Sequence, residues 1–496
     1  MSASWTFASP LMSVPDEPAH VIKAASVVRG DLRGTLDVGG GPIRLVTVPR
    51  GIEEFAHYGC FAQNVLITPQ CVDSVPGDKD TLVQTRTSAA NYNPVYYWAV
   101  GLPTLVWSDS KSVYGMRLLN ALLCSVLFAA AFAALACLGA RRWSIAALAV
   151  AMTPMVLFLN GAVNPNGLEV AGTACVFASL LLLFEKSKQL AWHVPVMAAV
   201  TMSGALLANA KPLAWMWLAI AVLAALLLSS WPDVRRMLNR PVFWIGSGVV
   251  AIAVACAVAW IIVVNAFEGI PFEAAGITPA AGMEIMADRT FEYFKGYVGQ
   301  FGWLEVPPPL MAYTVWIGLA MAFAICAFAL TRGRLRLTVA LALVAIVGLP
   351  PVLQAQAVES VGIVWQGRYL LAVFVLFLMI CGVAIDRATV AAGEAWAPGI
   401  AKGVVVVLGV AALWTFALTL RRFVTGLATD RLWGQMFSSP SWTPPGGVAL
   451  ALILHAALIT AACVIVHRMF VRAAADVRSV PAQVEPASAQ VPSETV

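Results

Sequence analysis

Residues 118–140 read LLNALLCSVLFAAAFAALACLGA, a stretch without a single charged side chain. A run of this length, coiled as an α-helix, crosses the hydrocarbon core of a bilayer, which is about 30 Å thick. Similar uncharged runs recur through most of the chain after residue 112. The chain is 60% hydrophobic and only 11% charged, whereas soluble proteins carry about 25% charged residues. The sequence therefore predicts an all-α polytopic membrane protein.

The apolar pattern predicts about eleven membrane-spanning helices, separated by short polar connections. The predicted spans are 117–139, 144–161, 167–184, 193–208, 212–230, 243–266, 310–330, 337–353, 368–385, 403–420 and 448–467. Basic side chains collect in every second connection, for example at Arg141 and Arg142 and at Arg332, Arg334 and Arg336. Because Lys and Arg mark cytoplasmic connections, this alternation predicts which helix ends face the cytoplasm.

The same alternation divides the chain into three parts. We expect residues 1–112 to form a long extracytoplasmic first loop with interfacial helices, and residues 113–470 to form the transmembrane helix bundle. Residues 471–496 are rich in Pro, Ala and Ser and are expected to be a disordered cytoplasmic tail. Further outer loops are expected at 267–309, 354–367 and 421–447. Any chemistry is then expected on the extracytoplasmic face of the membrane, which the chain crosses many times.

The first loop has to cross the membrane, although no complete signal sequence or span precedes it. A signal sequence needs a basic start followed by an apolar stretch, and residues 1–14, MSASWTFASPLMSV, have neither in full. We therefore expect that the assigned start is late. An upstream helix that ends near WTFASPL would bring the number of spans to about twelve.

Two of the nine cysteines, Cys60 and Cys71, lie in the polar first loop. Cysteines that face an oxidising compartment can pair, so these two are a candidate disulfide, although their spacing does not establish the geometry. The other seven lie in or beside apolar spans and are expected to be small buried hydrophobic residues.

Residues 9–20, SPLMSVPDEPAH, place three ionisable side chains, Asp16, Glu17 and His20, almost at the start of the chain. Pro18 can open a helix there, with Glu17 near its N-cap. One interpretation is an acidic cap on a surface helix. The other is a functional site, because ionisable groups at an apolar boundary are costly to desolvate.

Aromatic side chains mark two further stretches. Residues 91–103, NYNPVYYWAVGLP, contain Tyr96 and Tyr97, and residues 297–309, YVGQFGWLEVPPP, contain Trp303. Both patterns are typical of anchors at the level of lipid headgroups. Either stretch would alternatively line a groove for a lipid or a sugar.

Two basic side chains are expected at the outer ends of spans. Arg368 follows Gln366 in WQGRYLL, residues 365–371, and Lys211 lies in NAKP. A guanidinium group suits bidentate contact with phosphate. Snorkelling toward headgroups is the alternative for each cation, but two outer cations facing an acidic loop favour a phosphate site. Residues 164–169, NPNGLE, are expected to form a structural turn.

Several classes of site are absent from the sequence. It has no Walker loop, dinucleotide fingerprint, zinc-ligand spacing or nucleophile elbow. It places almost no ionisable side chain near the middle of a predicted span, whereas ion-coupled transporters usually need such residues. These patterns disfavour nucleotide-dependent, zinc-dependent and ion-coupled functions, and no nucleic-acid partner is expected.

Four motifs together carry a resemblance to a known family. SPLMSVPDEPAH, NPVYYW, FGWLEVPPP and WQGRYLL, in this order, resemble the bacterial domain-of-unknown-function 2142 family of polytopic membrane proteins, over about residues 5–385. That family is similar to the C-type (GT-C) glycosyltransferase superfamily. The resemblance implies a GT-C-like bundle of about a dozen helices, a long first outer loop and a polyprenyl-phosphate-linked sugar as donor. It also implies a multi-pass protein of a bacterial plasma (inner) membrane, with the first loop extracytoplasmic and the C-terminus cytoplasmic.

The resemblance also assigns roles to residues. Asp16 takes the acidic position of the superfamily, Glu17 is its neighbour and His20 completes the motif. Arg368 matches the arginine of the QGRY motif. The sequence departs from the pattern at Asn166, where an acid is expected, which weakens a catalytic role for that hairpin.

The expected function is transfer of the sugar to an acceptor hydroxyl of an envelope glycan, lipid or protein on the extracytoplasmic face. Asp16 or Glu17 would act as the base, while Lys211 and Arg368 would hold phosphate. No cofactor is required, although the two acids would suit Mg²⁺ or Mn²⁺. The alternative is a non-enzymatic transporter, flippase or binding protein for a lipid-linked saccharide. The expected substrate contacts are Tyr96, Tyr97, Trp303 and Gln366.

Overall fold

The computed structural model describes residues 1–37, 43–72, 77–267, 277–389, 397–428 and 430–478. Within these ranges, the α-helices are α1 (Ser2–Ala8), α2 (Glu17–Val27), α3 (Arg50–Glu53), α4 (Pro94–Gly101), α5 (Ser110–Ala136), α6 (Arg142–Ala151), α7 (Pro154–Asn160), α8 (Pro165–Glu185), α9 (Leu190–Ala208), α10 (Ala214–Leu228), α11 (Trp231–Leu238), α12 (Pro241–Val264), α13 (Pro279–Asp288), α14 (Thr290–Val298), α15 (Leu310–Leu330), α16 (Gly333–Val361), α17 (Leu371–Thr389), α18 (Ala397–Thr425), α19 (Gln435–Ser438) and α20 (Val448–Arg478). Short 3₁₀ turns cover Glu54–His57, Pro69–Cys71, Leu102–Leu105 and Gly367–Leu370.

Each of the predicted spans lies on helix. In the described ranges, nine helices are long and apolar enough to cross a membrane, and α6 and α7 together would make a tenth. These two helices are bent by 66° at the break over Met152 and Thr153. Pro154 opens α7 after this break, where its missing N–H leaves no helical hydrogen bond unmade. The remaining predicted span corresponds to α10, an apolar helix of 15 residues. The polytopic helical fold is therefore confirmed.

Two helices form the centre of the bundle. Every residue in the apolar window of α8 is buried, as is 94% of the window that contains α17, against only 11% for α12 and 17% for α20. The helices α5, α9, α10 and α17 surround α8. Because α8 and α17 are covered by protein along their length, the charged residues near their ends have to find partners inside the protein.

The first 112 residues contain a small β-sheet that the sequence analysis did not predict. Its strands are β1 (Thr35–Leu36), β2 (Arg44–Pro49) and β3 (Leu82–Thr87), in the antiparallel order β1-β2-β3. Val46 lies opposite Thr85 in the register of β2 and β3. The hydroxyl of Thr87 donates a hydrogen bond of 2.8 Å to the carbonyl of Ala19, which joins the sheet to α2.

Several predicted loops are shorter than expected because the helices extend beyond the predicted spans. Helix α16 continues to Val361, α18 continues to Thr425 and α20 continues to Arg478. Residues 354–361 and 471–478 are therefore helical rather than loop or tail. The rest of the predicted tail, and residues 268–276 of the predicted outer loop, lie outside the described residues.

Cys60 and Cys71 are joined by a disulfide, with their Cα atoms 6.2 Å apart. The guanidinium group of Arg422, at the end of α18, is buried against this loop and donates hydrogen bonds to carbonyls within it. The same guanidinium group lies 3.1 Å from the carboxylate of Glu305. The disulfide loop is thereby fixed to the helix bundle.

A buried ion pair fixes residues 9–20 against α5. The guanidinium group of Arg117 binds both carboxylate oxygens of Glu17, at 2.7 and 2.6 Å. It also donates to the carbonyls of Thr6, Ser9 and Pro10, at 2.8 to 3.0 Å. Both charged side chains have no solvent exposure, so this pair depends on complete hydrogen bonding.

We expect Arg117→Leu to destabilise the protein by roughly 3–5 kcal/mol, because it leaves the carboxylate of Glu17 buried without its counter-charge. The loss should appear as a fall in the free energy of unfolding of the detergent-solubilised protein, measured by denaturant titration.

Lys111→Leu is the matched control, because Lys111 lies on the same helix and is exposed. Its effect should stay within about 0.5 kcal/mol. Equal unfolding free energies for the two variants would show that the buried pair contributes nothing to the stability of the fold.

Candidate active site

Asp16 occupies the N-cap position of α2 with φ 68°, a left-handed conformation that is uncommon for residues other than glycine. Its carboxylate makes no capping hydrogen bond to this helix. It accepts instead from Arg368 Nη2, at 2.5 Å from Asp16 Oδ2. Of the two interpretations of this motif, the structure therefore disfavours a simple acidic cap.

Arg368 is held from three directions in the 3₁₀ turn that leads into α17. Besides Asp16, its Nη1 donates to the carbonyl of Pro15 at 3.2 Å, and its Nε donates to Gln366 Oε1 at 2.6 Å. The Arg368 side chain is 1% exposed, whereas the Asp16 side chain is 51% exposed. The pair thus joins a buried cation to a carboxylate that is open to its surroundings.

Lys211 supplies a second cation, between α9 and α10. Its Nζ donates to Asn166 Oδ1 at 2.6 Å and lies 3.8 Å from Glu169 Oε2. The ammonium group also lies 5.1 Å from the centre of the Tyr369 ring, and the Arg368 guanidinium lies 5.3 Å from the same ring. Both cations therefore lie within cation–π distance of the same aromatic ring, that of Tyr369.

Glu169 is buried near the start of α8 and accepts a hydrogen bond of 3.1 Å from the indole of Trp217. Together with Asn166, it keeps Lys211 in place. Sequence analysis missed Glu169 as a site residue because NPNGLE was interpreted as a turn. The available signal was an acid within an otherwise apolar run, which is costly unless it has a partner.

His20 lies inside the site, on α2. It is 4% exposed, and its Nδ1 shares a hydrogen bond of 2.8 Å with the hydroxyl of Tyr97. Burial lowers the pKa of His20 to about 3. The imidazole is therefore neutral at pH 7, which suits a fixed hydrogen-bonding group better than a proton donor.

Asp16 and Lys211 are each subject to opposing effects on their pKa. Partial burial raises the pKa of Asp16, but several smaller effects, led by the charge and the hydrogen bond of Arg368, together lower it by more, so the pKa lies below its ordinary value. Burial lowers the pKa of Lys211, an effect that Glu169 opposes. Asp16 is consequently ionised at neutral pH, and its basicity depends on whether Arg368 stays on it.

Glu17 does not fit the role of general base that the sequence analysis allowed for it. The carboxylate of Glu17 accepts hydrogen bonds from Arg117 and, at 3.0 Å, from the amide N–H of Val163, and it is fully buried. A base needs free access to the proton that it abstracts. The physical role of Glu17 is to anchor the chain beside Asp16.

The Asp16–Glu17 pair also does not fit a divalent metal ion. Each carboxylate is already paired with a guanidinium group, from Arg368 and Arg117 respectively. Over the residues that the structure describes, no group of three or more His, Cys, Asp or Glu side chains is arranged to hold a metal ion.

The four predicted substrate contacts fall into two groups in the structure. Gln366 contacts Arg368, as described, and Tyr97 contacts His20. The Trp303 indole donates to the carbonyl of Met12 at 2.9 Å. Tyr96 is buried and donates to Asn120 Oδ1 at 3.1 Å, within α5. Gln366 and Tyr97 thus touch the ionisable groups of the site, whereas Trp303 and Tyr96 support the surrounding backbone and bundle.

The depressed pKa of His20 predicts how stability depends on pH. Below about pH 6.5 the unfolded chain binds a proton at this position and the folded chain does not, so stability falls as the pH falls toward 3. From pH 6.5 to pH 5, His20 alone should cost about 2 kcal/mol. Unfolding titrations at several pH values measure this slope.

His20→Asn should give a shallower slope than wild type, whatever its absolute stability. Tyr97→Phe should keep the wild-type slope, because burial rather than the hydroxyl is the main cause of the shift. If His20→Asn kept the full slope, His20 would not be the group responsible.

Comparison with known proteins places the chain in a family. Residues 1–377 match the model of a family described as "Predicted membrane protein (DUF2142)". No curated protein matches the chain.

Two solved structures are similar to it, both of ArnT from Cupriavidus metallidurans, one in the apo state and one bound to undecaprenyl phosphate. Each is 14% identical, and the similarity covers 96% of this chain and 72% of the ArnT chain, with TM-scores of 0.49 and 0.47. Since the family model matches 377 of 496 residues, the chain belongs to this family of membrane proteins.

Proposed function

We propose that this protein is a glycosyltransferase of the bacterial cell envelope, which transfers a sugar from a polyprenyl-phosphate-linked donor to an acceptor hydroxyl on the extracytoplasmic face. The observation that carries the proposal is the pair of Asp16 and Arg368, an exposed carboxylate on a buried guanidinium, with Lys211 beside it. Such a site offers one accessible base and two cations for a phosphate.

Donor binding would rearrange this pair. Arg368 is buried behind Asp16, so an incoming phosphate reaches the guanidinium by replacing the carboxylate on it. Arginine binds phosphate oxygens in the same forked geometry as carboxylate oxygens. Once Arg368 holds phosphate, the charge that lowers the pKa of Asp16 is neutralised, and the carboxylate becomes a stronger base. Binding of the donor thus prepares the base.

The transfer step then needs one base and a stabilised leaving group. The acceptor oxygen forms a bond to the anomeric carbon, and the bond from that carbon to the phosphate oxygen breaks with its electron pair on the phosphate. The acceptor proton moves to the carboxylate of Asp16. Arg368 and Lys211 stabilise the charge on the departing polyprenyl phosphate. Because phosphate is a good leaving group, no second carboxylate is required as an acid, in contrast to glycoside hydrolysis.

The neighbouring residues would act by positioning Asp16, Arg368 and Lys211. Gln366 holds the Nε of Arg368, and Glu169 and Asn166 hold Lys211. The neutral His20 follows Asp16 by four residues on α2, and its hydrogen bond to Tyr97 of α4 gives the site a fixed polar wall. We assign no step to Tyr96 or Trp303, whose polar atoms already have partners.

The alternative is a protein that binds or moves a lipid-linked saccharide without chemistry. It would use the same cations, because they recognise the phosphate, but it would not need a base. The two functions therefore differ in what they require of Asp16, and a substitution that keeps its shape separates them.

We expect Asp16→Asn to lower kcat for sugar transfer by roughly 10²–10⁴-fold, because it removes the base. The KM for the donor should stay the same or fall, since the phosphate no longer competes with a carboxylate for Arg368. The assay follows release of polyprenyl phosphate from a panel of sugar-labelled polyprenyl-phosphate donors, with envelope fractions as acceptor.

Asp80→Asn is the control, because Asp80 is an exposed acid of the same first segment. It should leave kcat unchanged. If donor binding and transbilayer movement were measurable but neither variant nor wild type released polyprenyl phosphate, the non-enzymatic alternative would hold.

Arg368→Lys keeps the positive charge but loses the forked geometry. We expect a rise of about tenfold in the donor KM, which corresponds to about 1.4 kcal/mol of binding, with a further fall in kcat. Arg289→Lys, at an exposed arginine of the predicted outer loop, should change neither constant. An unchanged donor KM in Arg368→Lys would remove Arg368 from the phosphate site.

A further inference from the structure

A second polar cluster lies at the other ends of the helices that form the candidate active site. It surrounds a cavity of about 490 Å³. Its polar lining consists of Glu185, Ser229, Ser230, Asp233, Arg332, Arg334 and Arg387. These residues come from the ends of α8 and α17, from the start of α16, from the connection between α10 and α11 and from α11 itself.

The cavity and the candidate active site are separated by the thickness of the bundle. Arg368 precedes α17 and Arg387 lies near its end, and the 19 residue steps from one to the other correspond to about 28 Å at the rise of an α-helix. In the same way, Glu169 and Glu185 lie toward opposite ends of α8. The positive-inside rule assigns the cavity to the cytoplasmic face.

The cations of the cavity outnumber its carboxylates, with three arginines against Glu185 and Asp233. The negative charges of Glu185 and Asp386 act on Arg387, but within the described part of the chain no hydrogen bond joins the guanidinium group of Arg334 or Arg387 to either carboxylate. Asp233 is already bound, at 3.0 Å by Arg236 and also by the hydroxyls of Ser187 and Ser230.

The second carboxylate of the cavity is also engaged. Glu185 Oε1 accepts a hydrogen bond of 2.7 Å from the amide N–H of Gly139 and lies 3.8 Å from Lys186 Nζ. Three arginines against two carboxylates leave the lining with an excess of positive charge, which favours an anion.

A buried hydroxyl points to the same kind of ligand. Ser229 is 3% exposed, and its Oγ has no hydrogen-bond partner among the described residues. A buried polar atom without a partner is costly. Since this residue lines the cavity, rotation of its side chain would bring the hydroxyl to a ligand oxygen in the cavity.

The rest of the lining is apolar. Phe184 and Leu228 are buried at the ends of α8 and α10, and Leu335 lies beside Arg334 on α16. A site that combines guanidinium groups, a hydroxyl and apolar side chains at the end of membrane helices matches the boundary between a lipid headgroup and its acyl chains. It matches a free anion less well, because a free anion has no apolar part to bury.

We propose that this cavity binds the phosphate headgroup of an anionic phospholipid at the face opposite the candidate active site. The arginines hold the phosphate, the hydroxyl of Ser229 donates to it, and the apolar side chains contact the glycerol and the first carbons of the chains. The ligand would join the ends of α8, α16 and α17, which carry Glu169 and Arg368 near their other ends. This site stands independently of the proposed transferase activity.

The test measures the thermal unfolding midpoint of the delipidated, detergent-solubilised full chain at rising concentrations of a short-chain phosphatidylglycerol. Phosphatidylcholine with the same chains and inorganic phosphate alone are measured in parallel. We expect phosphatidylglycerol to raise the midpoint with saturation and the other two to have little effect. Arg334→Gln should weaken half-saturation about fivefold, and Arg334→Gln with Arg387→Gln about 25-fold, from the contribution of one basic side chain at an anionic membrane surface.

The matched control is Arg235→Gln with Arg240→Gln, which removes two exposed arginines of the same predicted face outside the cavity. It should respond as wild type does. An equal response of the control and the cavity variants would overturn the site, and so would an equal response to phosphatidylcholine. If inorganic phosphate alone reproduced the full shift, the lipid assignment would be wrong. Arg334→Gln decides the matter even if the double variant does not fold, because Arg334 is exposed.

Discussion

The candidate site depends on one buried ion pair, between Arg117 of α5 and Glu17 at the start of α2. Neither charge touches solvent, so the free-energy cost of removing both from water is offset only if every donor and acceptor of the pair is hydrogen-bonded. The guanidinium group meets this condition by binding Glu17 and three carbonyls of the preceding turn. Asp16 is the neighbour of Glu17, and its position is therefore set by this pair rather than by the flexibility of a loop.

Two adjacent acids thus acquire different properties from two arginines. Glu17 is enclosed by Arg117, while Asp16 keeps about half of its side chain exposed although Arg368 binds it. The left-handed backbone of Asp16 belongs to the same arrangement, because its carboxylate is used away from the helix that it precedes. The environment, and not the residue type, distinguishes an anchoring carboxylate from one that is available for proton transfer.

The sequence predicted the spans because charge-free runs of bilayer length have few alternative structures. The sequence also predicted that the first loop, Lys211 and Arg368 lie on one face of the membrane, because the alternation of basic connections assigns each helix end to a side. It could not separate Asp16 from Glu17, because Arg117 is 100 residues away and no local pattern encodes that pairing. The small sheet was missed because β2 and β3 are each six residues long, and their pairing is non-local.

The burial of α17 explains why its terminal charges need partners. An arginine on a lipid-facing helix can extend its side chain to the headgroups, but nearly the whole of α17 is enclosed by protein. At one end, Arg368 meets this requirement with Asp16, Pro15 and Gln366. At the other end, Arg387 is partly exposed and lines the cavity that also contains Arg332 and Arg334. An anionic ligand in this cavity would give Arg387 the kind of partner that Asp16 gives Arg368.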